Sequence, residues 1–259
     1  MKSFLAPSLQ VLICETVLLQ EWGRRNQSFR APFWRLYRNE QSGAAVVWKG
    51  RSVKLEADQI YLIPPETDFS PDLRAPVRHF YLHFVARPPF DRANPGIYGQ
   101  PVEDGLLRHI AALDALDGAP LTAAGAAQAS LHAWVLVQSA LANIPTSALQ
   151  FHAIDSRVER AQMAIASNLK VPLSNRQLAG LVHMTPNAFV TRFSAVVGES
   201  PQQYARRIRV EQACVLLHTT DQSMEQIADA TGFCDRYHFT RVFAQVRGVS
   251  PAVFRCSLG

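Results

Sequence analysis

Two histidines four residues apart, His79 and His83, stand in an alternating run that ends at Phe84 and are the first candidates for chemistry. Alternate residues of a strand share a face, so both imidazoles point the same way. A catalytic metal centre normally takes three protein ligands. The neighbouring turn Pro64-Pro65-Glu66-Thr67-Asp68 supplies no histidine, so no metal and no cofactor is predicted, and core or pocket histidines are the simpler reading. Tyr81 shares their face, and Arg35 and Tyr37 come from an earlier run as companions. Aromatic walls with a few convergent hydrogen-bonding groups suit a small polar ligand, a sugar or an aromatic acid. That predicts a ligand-binding set of Arg35, Tyr37, His79, Tyr81 and His83. The opposite face, Phe80, Leu82 and Phe84, is wholly apolar and is expected to pack on whatever helices follow. The chain carries no G-x-S-x-G elbow, no phosphate-cradling glycine loop and no Cys/His nucleophile arrangement. No catalytic residue is assigned, and the chain is not expected to be an enzyme.

The elements that must hold these residues are short. Segments 11–20, 30–38, 44–48, 52–55, 59–63 and 77–85 are rich in β-branched and aromatic residues and separated by turn signals such as Asn39-Glu40-Gln41-Ser42-Gly43. Such spacing argues for a small antiparallel barrel or sandwich. Two helical stretches follow, about 102–116 and 122–143. A linker is expected over 144–154, with Pro145 near its start. This gives an α+β chain of two domains: a β domain with trailing helices over 1–143 and a helical domain over 155–259.

The helical half contains the same pattern twice. Ser174, Gln177 and Ala179 match Ser223, Gln226 and Ala228 at an offset of 49. Phe189, Phe193, Gly198, Ser200, Pro201 and Tyr204 match Phe239, Phe243, Gly248, Ser250, Pro251 and Phe254 at an offset of 50. The extra residue falls in a turn, as it would between real structural units. Ser174/Gln177 and Ser223/Gln226 read as capping boxes. A second helix opens in each unit at Thr185-Pro186 or Asp235 and stops at Gly198 or Gly248. Two helices joined by a tight turn, the second polar at its start, form the layout that enters a DNA major groove. The units span 174–198 and 223–248. Between them Ser200-Pro201 and Gln203 open a longer helix to about Leu217, with Val210, Ala213, Cys214 and Leu217 as its buried stripe. An earlier helix, Ser156–Leu169, is expected to start on a Ser156/Glu159 capping box. Arg209 is expected in a structural ion pair.

These residues resemble a known family. The run LSNRQLAGLVHMTPNAFVTRFSAVVGESPQQYARRIRVEQACVLL, followed by SMEQIADATGFCDRYHFTRVFAQVRGVSPAVFR, is similar to the AraC-type (AraC/XylS) double helix-turn-helix domain of bacterial transcription regulators. The likeness covers about 155–255 and both Gly-x-Ser-Pro stops. It implies seven helices, two of them lying in successive major grooves of double-stranded promoter DNA. Carried over position by position, it implies DNA contacts from Asn187, Val190 and Thr191 in the first unit and from Arg236, Tyr237, His238 and Arg241 in the second. Thr191 stands where the family often has a long Arg or Gln. Arg192, displaced by one, is then a phosphate contact. Arg matches guanine acceptors and Asn matches adenine. The first half, through WRLYRNEQSGAAVVWKG, LIPPETDF and HFYLHF, is similar to the cupin-like sensor domains of such regulators. That implies a small-molecule effector, helices that pair into a homodimer, and RNA polymerase as partner if the protein activates. Two other readings are a metal-dependent cupin enzyme and a non-catalytic small-molecule-binding module with merely dimerising helices. Against the latter, buried dimer helices would carry apolar residues where Arg236, His238 and Arg241 stand.

Charge agrees. The chain carries a formal +5. Residues 152–259 hold 12 Lys and Arg against 8 Asp and Glu, whereas 1–151 hold 14 against 13, so the excess sits on the half that would meet phosphates. Cys14, Cys214, Cys234 and Cys256 lack metal-type spacing and read as reduced thiols. Lys2 to Cys14 imitates a signal peptide, but Pro7, Gln10 and Glu15 interrupt it. A soluble cytoplasmic protein with no membrane partner is the expectation.

Overall fold

Strand-forming alternation gives way to helical periodicity near residue 104, and the order of elements follows it. The structure is a computed structural model that describes residues 9–23, 28–86, 90–91, 93–116, 122–149 and 155–256. Its contacts cluster into two units, Met1–Phe151 and His152–Gly259. Residues 1–8 and 150–154, which include part of the signal-like stretch and of the expected linker, lie outside the described residues.

The first unit has strands β1 (Leu9–Leu19), β2 (Trp34–Asn39), β3 (Ala44–Trp48), β4 (Arg51–Lys54), β5 (Gln59–Ile63), β6 (Ser70–Leu73), β7 (Val77–Ala86) and β8 (Tyr98–Pro101). They form two antiparallel sheets, one in the order β1-β7-β2-β5-β8 and one in the order β4-β3-β6. The expected cupin-like barrel is thus corrected. Among the described residues the strands make two sheets rather than one closed one. The sequence pattern also missed β6 and β8. Each is four residues long and contains proline, and β8 contains Gly99 as well, a composition that strands normally avoid.

One face of the larger sheet is apolar. Trp34, Leu36, Ile60, Leu62, Phe80, Leu82 and Phe84 pack in a single cluster with Leu106, Ile110 and Leu113 of α1 (Asp104–Asp114). Ala133, Leu136, Val137, Ala140 and Leu141 of α2 (Ala123–Ala142) complete it, and Thr122 caps that helix. Segment 144–149 is not a linker. Ile144, Ala148 and Leu149 are buried in this core, and Leu149 bridges Ala93.

Among the described residues the second unit holds seven helices: α3 (Ser156–Ser167), α4 (Asn175–Leu181), α5 (Pro186–Val197), α6 (Pro201–Thr219), α7 (Met224–Ala230), α8 (Arg236–Arg247) and α9 (Pro251–Cys256). Capping boxes open α4, α6 and α7 at Ser174/Gln177, Ser200/Gln203 and Ser223/Gln226. The box expected at Ser156/Glu159 is not there. Asp155 caps α3 instead, accepting the Arg157 N–H at 3.0 Å. Gly198 and Gly248 end α5 and α8 in the left-handed conformation. The rings repeat as the sequence does. Phe189–Phe193 and Phe193–Tyr204 lie 5.6 and 5.5 Å apart, and Phe239–Phe243 and Phe243–Phe254 the same 5.6 and 5.5 Å. Among the described residues no helix is long and apolar enough to cross a membrane.

The two turns are equivalent up to one residue. Met184 N–H donates to Ala179 O and Phe233 N–H to Ala228 O, both at 2.9 Å. Thr185 and Asp235 are then the caps of the next helices, so the inserted residue is Cys234. His183 and Gly232 both take positive φ, 54° and 75°. Only at Gly232 is a side chain impossible. A Cβ there would overlap the Leu169 carbonyl oxygen and lie 3.0 Å from Lys170 Cα. Gly232→Ala therefore combines left-handed strain with a backbone clash and should destabilise the second unit by about 2–4 kcal/mol. Denaturant unfolding measures this directly, and an unchanged midpoint would show that the close approach does not exist in solution.

Candidate nucleic-acid interface and ligand-facing sheet

Helical geometry selects the outward face of α5. At 3.6 residues per turn, Phe189 and Phe193 fix the direction of the core, and Asn187, Ala188, Thr191 and Ala195 point away from it. All four are exposed. The same construction on α8, fixed by Phe239 and Phe243, points Tyr237, His238, Arg241 and Gln245 outward at an offset of 50. The two modules thus present matched surfaces of different chemistry. The first offers an amide, a hydroxyl and two methyl groups. The second offers a phenol, an imidazole, a guanidinium and an amide.

Both helices have firmly built starts. Thr185 Oγ1 accepts the Ala188 N–H at 3.4 Å, and Asp235 Oδ1 accepts the His238 N–H at 2.7 Å. That bond, and a weaker one from the Cys234 thiol, hold the Asp235 carboxyl below its usual range. Asp235 in turn pushes the Cys234 thiol up. His238 stacks edge-on to Phe233 at 5.6 Å, which limits its rotation. Tyr237 is 84% exposed. Cys234, Asp235, Tyr237, His238 and Arg241 line a surface concavity of about 480 Å³.

Of the eight expected DNA contacts, Asn187, Thr191, Tyr237, His238 and Arg241 lie on the outward faces. The other three are held differently. Val190 is half-buried against the core of the first module. Arg192 donates through Nε to Asp155 Oδ2 at 2.6 Å. Arg236 reaches Glu225 at 2.9 Å, an exposed pair worth little. Gln245 was missed. The available signal was its position four residues after Arg241, on the same face. The arginines of α6 are mostly structural. Arg207 binds Glu199 and Glu211 and lies 5.0 Å over the Tyr204 ring. The ion pair expected of Arg209 is replaced by a bond to the Leu169 carbonyl at 3.2 Å.

In the first unit the structure gathers all five expected ligand residues. Across β2 and β7, Arg35 faces His83, Tyr37 faces Tyr81 and Asn39 faces His79. Their face is opposite the apolar one and lies within a second cluster that includes Phe29, Phe69 and Tyr61. Arg35, Tyr37, His79 and His83 are buried, so the set is interior rather than at an open rim. The Arg35 guanidinium is 5.2 Å from both the Phe33 and Phe69 ring centres. His79 Nδ1 lies 2.7 Å from Asn39 Oδ1, and Tyr81 donates to Glu15 at 2.6 Å. Asn39 and Glu15 were missed, although Asn39 continues the Arg35–Tyr37 alternation. Burial pushes the Tyr37 phenol up to about 12. Among the described residues, no group of three or more His, Cys, Asp or Glu could hold a metal ion.

A family model described as a helix-turn-helix domain matches residues 178–257. The MmsAB operon regulatory protein of Pseudomonas aeruginosa is 35% identical over 88 residues, which are 34% of this chain and 29% of that protein. The HTH-type transcriptional activator RhaR of Pectobacterium carotovorum is 30% identical over 92 residues, 36% of this chain and 32% of that one. The chain thus spans about a third of the length of these curated relatives. A crystal structure of ToxT from Vibrio cholerae with a bound unsaturated fatty acid aligns with a TM-score of 0.55 at 14% identity, covering 100% of this chain and 98% of that one. The fold is therefore similar to that of ToxT.

Burial pushes the His79 imidazole down to about 3, against an ordinary 6.5. The folded unit keeps the ring neutral where the unfolded chain takes up a proton. Stability is then lost as pH falls from 6.5 towards 3, with a slope of at most about 1.4 kcal/mol per pH unit. Unfolding at pH 7, 5.5 and 4.5 should show wild type losing stability relative to His79→Gln as pH falls. A pH-independent difference would contradict the buried, neutral ring.

Proposed function

We propose that this chain, whose C-terminal unit is a helix-turn-helix domain of the AraC type, is a transcription regulator that binds promoter DNA sequence-specifically and responds to a small molecule. The observation that carries this reading is the pair of matched outward faces on α5 and α8, each capped, each backed by the same phenylalanine pair, and joined by the single helix α6. Arg241 can bridge two guanine acceptors and Asn187 can do the same on adenine. Tyr237 offers a flat apolar contact, and Thr191 a methyl contact to thymine. Arg192 and Arg236 serve as backbone contacts, and Val190 supports the helix from its flank.

The effector site in this reading is the buried face of Arg35, Tyr37, His79, Tyr81 and His83. Its mixture of rings and a few polar groups suits a sugar or an aromatic acid. ToxT, which has a similar fold, holds an unsaturated fatty acid, and its carboxylate is the feature that favours an acid over a sugar here. The protein acts by binding, with no catalytic step. A homodimer forms through α2, whose twenty residues include no charged side chain and whose outer side exposes Leu131, Trp134 and Val135. Sedimentation of the purified chain decides that point.

Selection from a random duplex pool tests the central reading. The full chain and the fragment 152–259 should enrich the same site, and affinity should fall steeply with salt as counterions are released. Arg241→Ala should cost about 1–3 kcal/mol and relax preference at one or two positions. If the folded fragment shows no preference among duplexes, the reading is wrong.

A further inference from the structure

Asp155 is the first described residue of the second unit and among the few charged side chains buried in the chain. Its side chain is 5% exposed, and two arginines share it. Arg157 donates its backbone N–H at 3.0 Å and its Nε at 3.3 Å to Oδ1. Arg192, in the middle of the first recognition helix, donates its Nε at 2.6 Å to Oδ2. These bonds, that from Arg192 foremost, hold the carboxyl far below its usual range. The Arg192 side chain stays 49% exposed, and among the described residues its two terminal nitrogens are not engaged.

We propose that Asp155 is a positioning residue for DNA binding, gripping the Nε edge of Arg192 so that the terminal nitrogens are presented to a backbone phosphate beside the first recognition helix. This rests on the DNA-binding reading above and says how one contact of that reading is built. On the helical wheel Arg192 sits on the flank of α5, between the core direction of Phe193 and the outward direction of Thr191. A helix lying in a major groove turns its flanks to the phosphate walls and its outer face to the bases. An unrestrained arginine there would pay side-chain entropy to hold one geometry. Gripped at Nε, it keeps two parallel donors, the arrangement that suits a phosphate. The grip is no general requirement of the module. The equivalent residue of α8 is Val242, which is buried.

The sign of one effect separates positioning from plain charge. Asp155 is an anion near the expected path of the phosphates, and by Coulomb's law its removal alone should tighten DNA binding. A positioning role gives the opposite result. Asn caps a helix about as well as Asp, so Asp155→Asn keeps the α3 cap and weakens the grip. Full-length wild type, Asp155→Asn, Arg192→Ala and the double variant should be titrated against the selected duplex over a salt series. If wild type binds no duplex selectively, the functional reading fails, and this one fails with it. Given selective wild-type binding, Asp155→Asn should weaken it about tenfold, the value of one charged hydrogen bond. Its salt slope should fall by about one, the mark of a lost phosphate contact. The double variant should bind little worse than Arg192→Ala. Unchanged or tighter binding by Asp155→Asn, or fully additive losses, overturns the proposal. Should Asp155→Asn unfold, Arg192→Lys is the deciding variant, because it keeps the charge but not the Nε edge. It should also lose about tenfold, and wild-type affinity would overturn the proposal.

Discussion

The geometry of the second unit turns on the carbonyl group of Leu169. It is met from one side by Gly232, in the turn of the second module, so closely that no side chain fits there. From another side it receives the Arg209 Nε of α6 at 3.2 Å. The loop after α3 is thereby fixed both to the helix that joins the modules and to the turn that starts α8. The neighbouring Lys170–Asp229 pair at 2.8 Å is too exposed to contribute more than about 1 kcal/mol. Steric contact and a hydrogen bond to backbone, not surface charge, therefore hold the loop after α3 to α6 and to the turn before α8. In the proposed function, reading DNA with two modules depends on their being held together in this way. Two helices that swung freely would bind as separate weak heads.

The first unit solves a different problem with one sheet. The alternation of β2 and β7 puts Trp34, Leu36, Phe80, Leu82 and Phe84 on the side covered by α1 and α2, and Arg35, Tyr37, His79, Tyr81 and His83 on the other. A change on the polar side has a short route to the helices, because the two faces share a backbone. In the proposed function, that arrangement would carry effector binding to the packing of α2.

The sequence was most legible where local rules decide. Capping serines, the terminal glycines Gly198 and Gly248, and the phenylalanine pairs announce the double module without reference to tertiary structure. Legibility failed where long-range contacts decide. Asp155, not Ser156, caps α3, because the carboxylate also serves Arg192, 37 residues away in sequence. Arg209 satisfies a carbonyl rather than a carboxylate. Segment 144–149 reads as a linker through Pro145, yet its apolar residues complete the core on α2. β6 and β8 carry proline and glycine and exist because neighbouring strands pair with them. The polar sheet face was assembled correctly from alternation alone, but Glu15 entered through the pairing of β1 with β7, which no pattern in β1 foretells.

The most direct test of a fixed two-module reader is the spacing of its site. Once a bound duplex has been selected, five base pairs inserted between its two halves rotate one half by about half a helical turn. A unit pinned at Leu169 cannot follow, so selective affinity should collapse to that of a single half-site, and a ten-base-pair insertion should not restore it because the modules cannot stretch. Full affinity retained with the five-base-pair insertion would contradict the account, since the two modules would then be reading DNA independently.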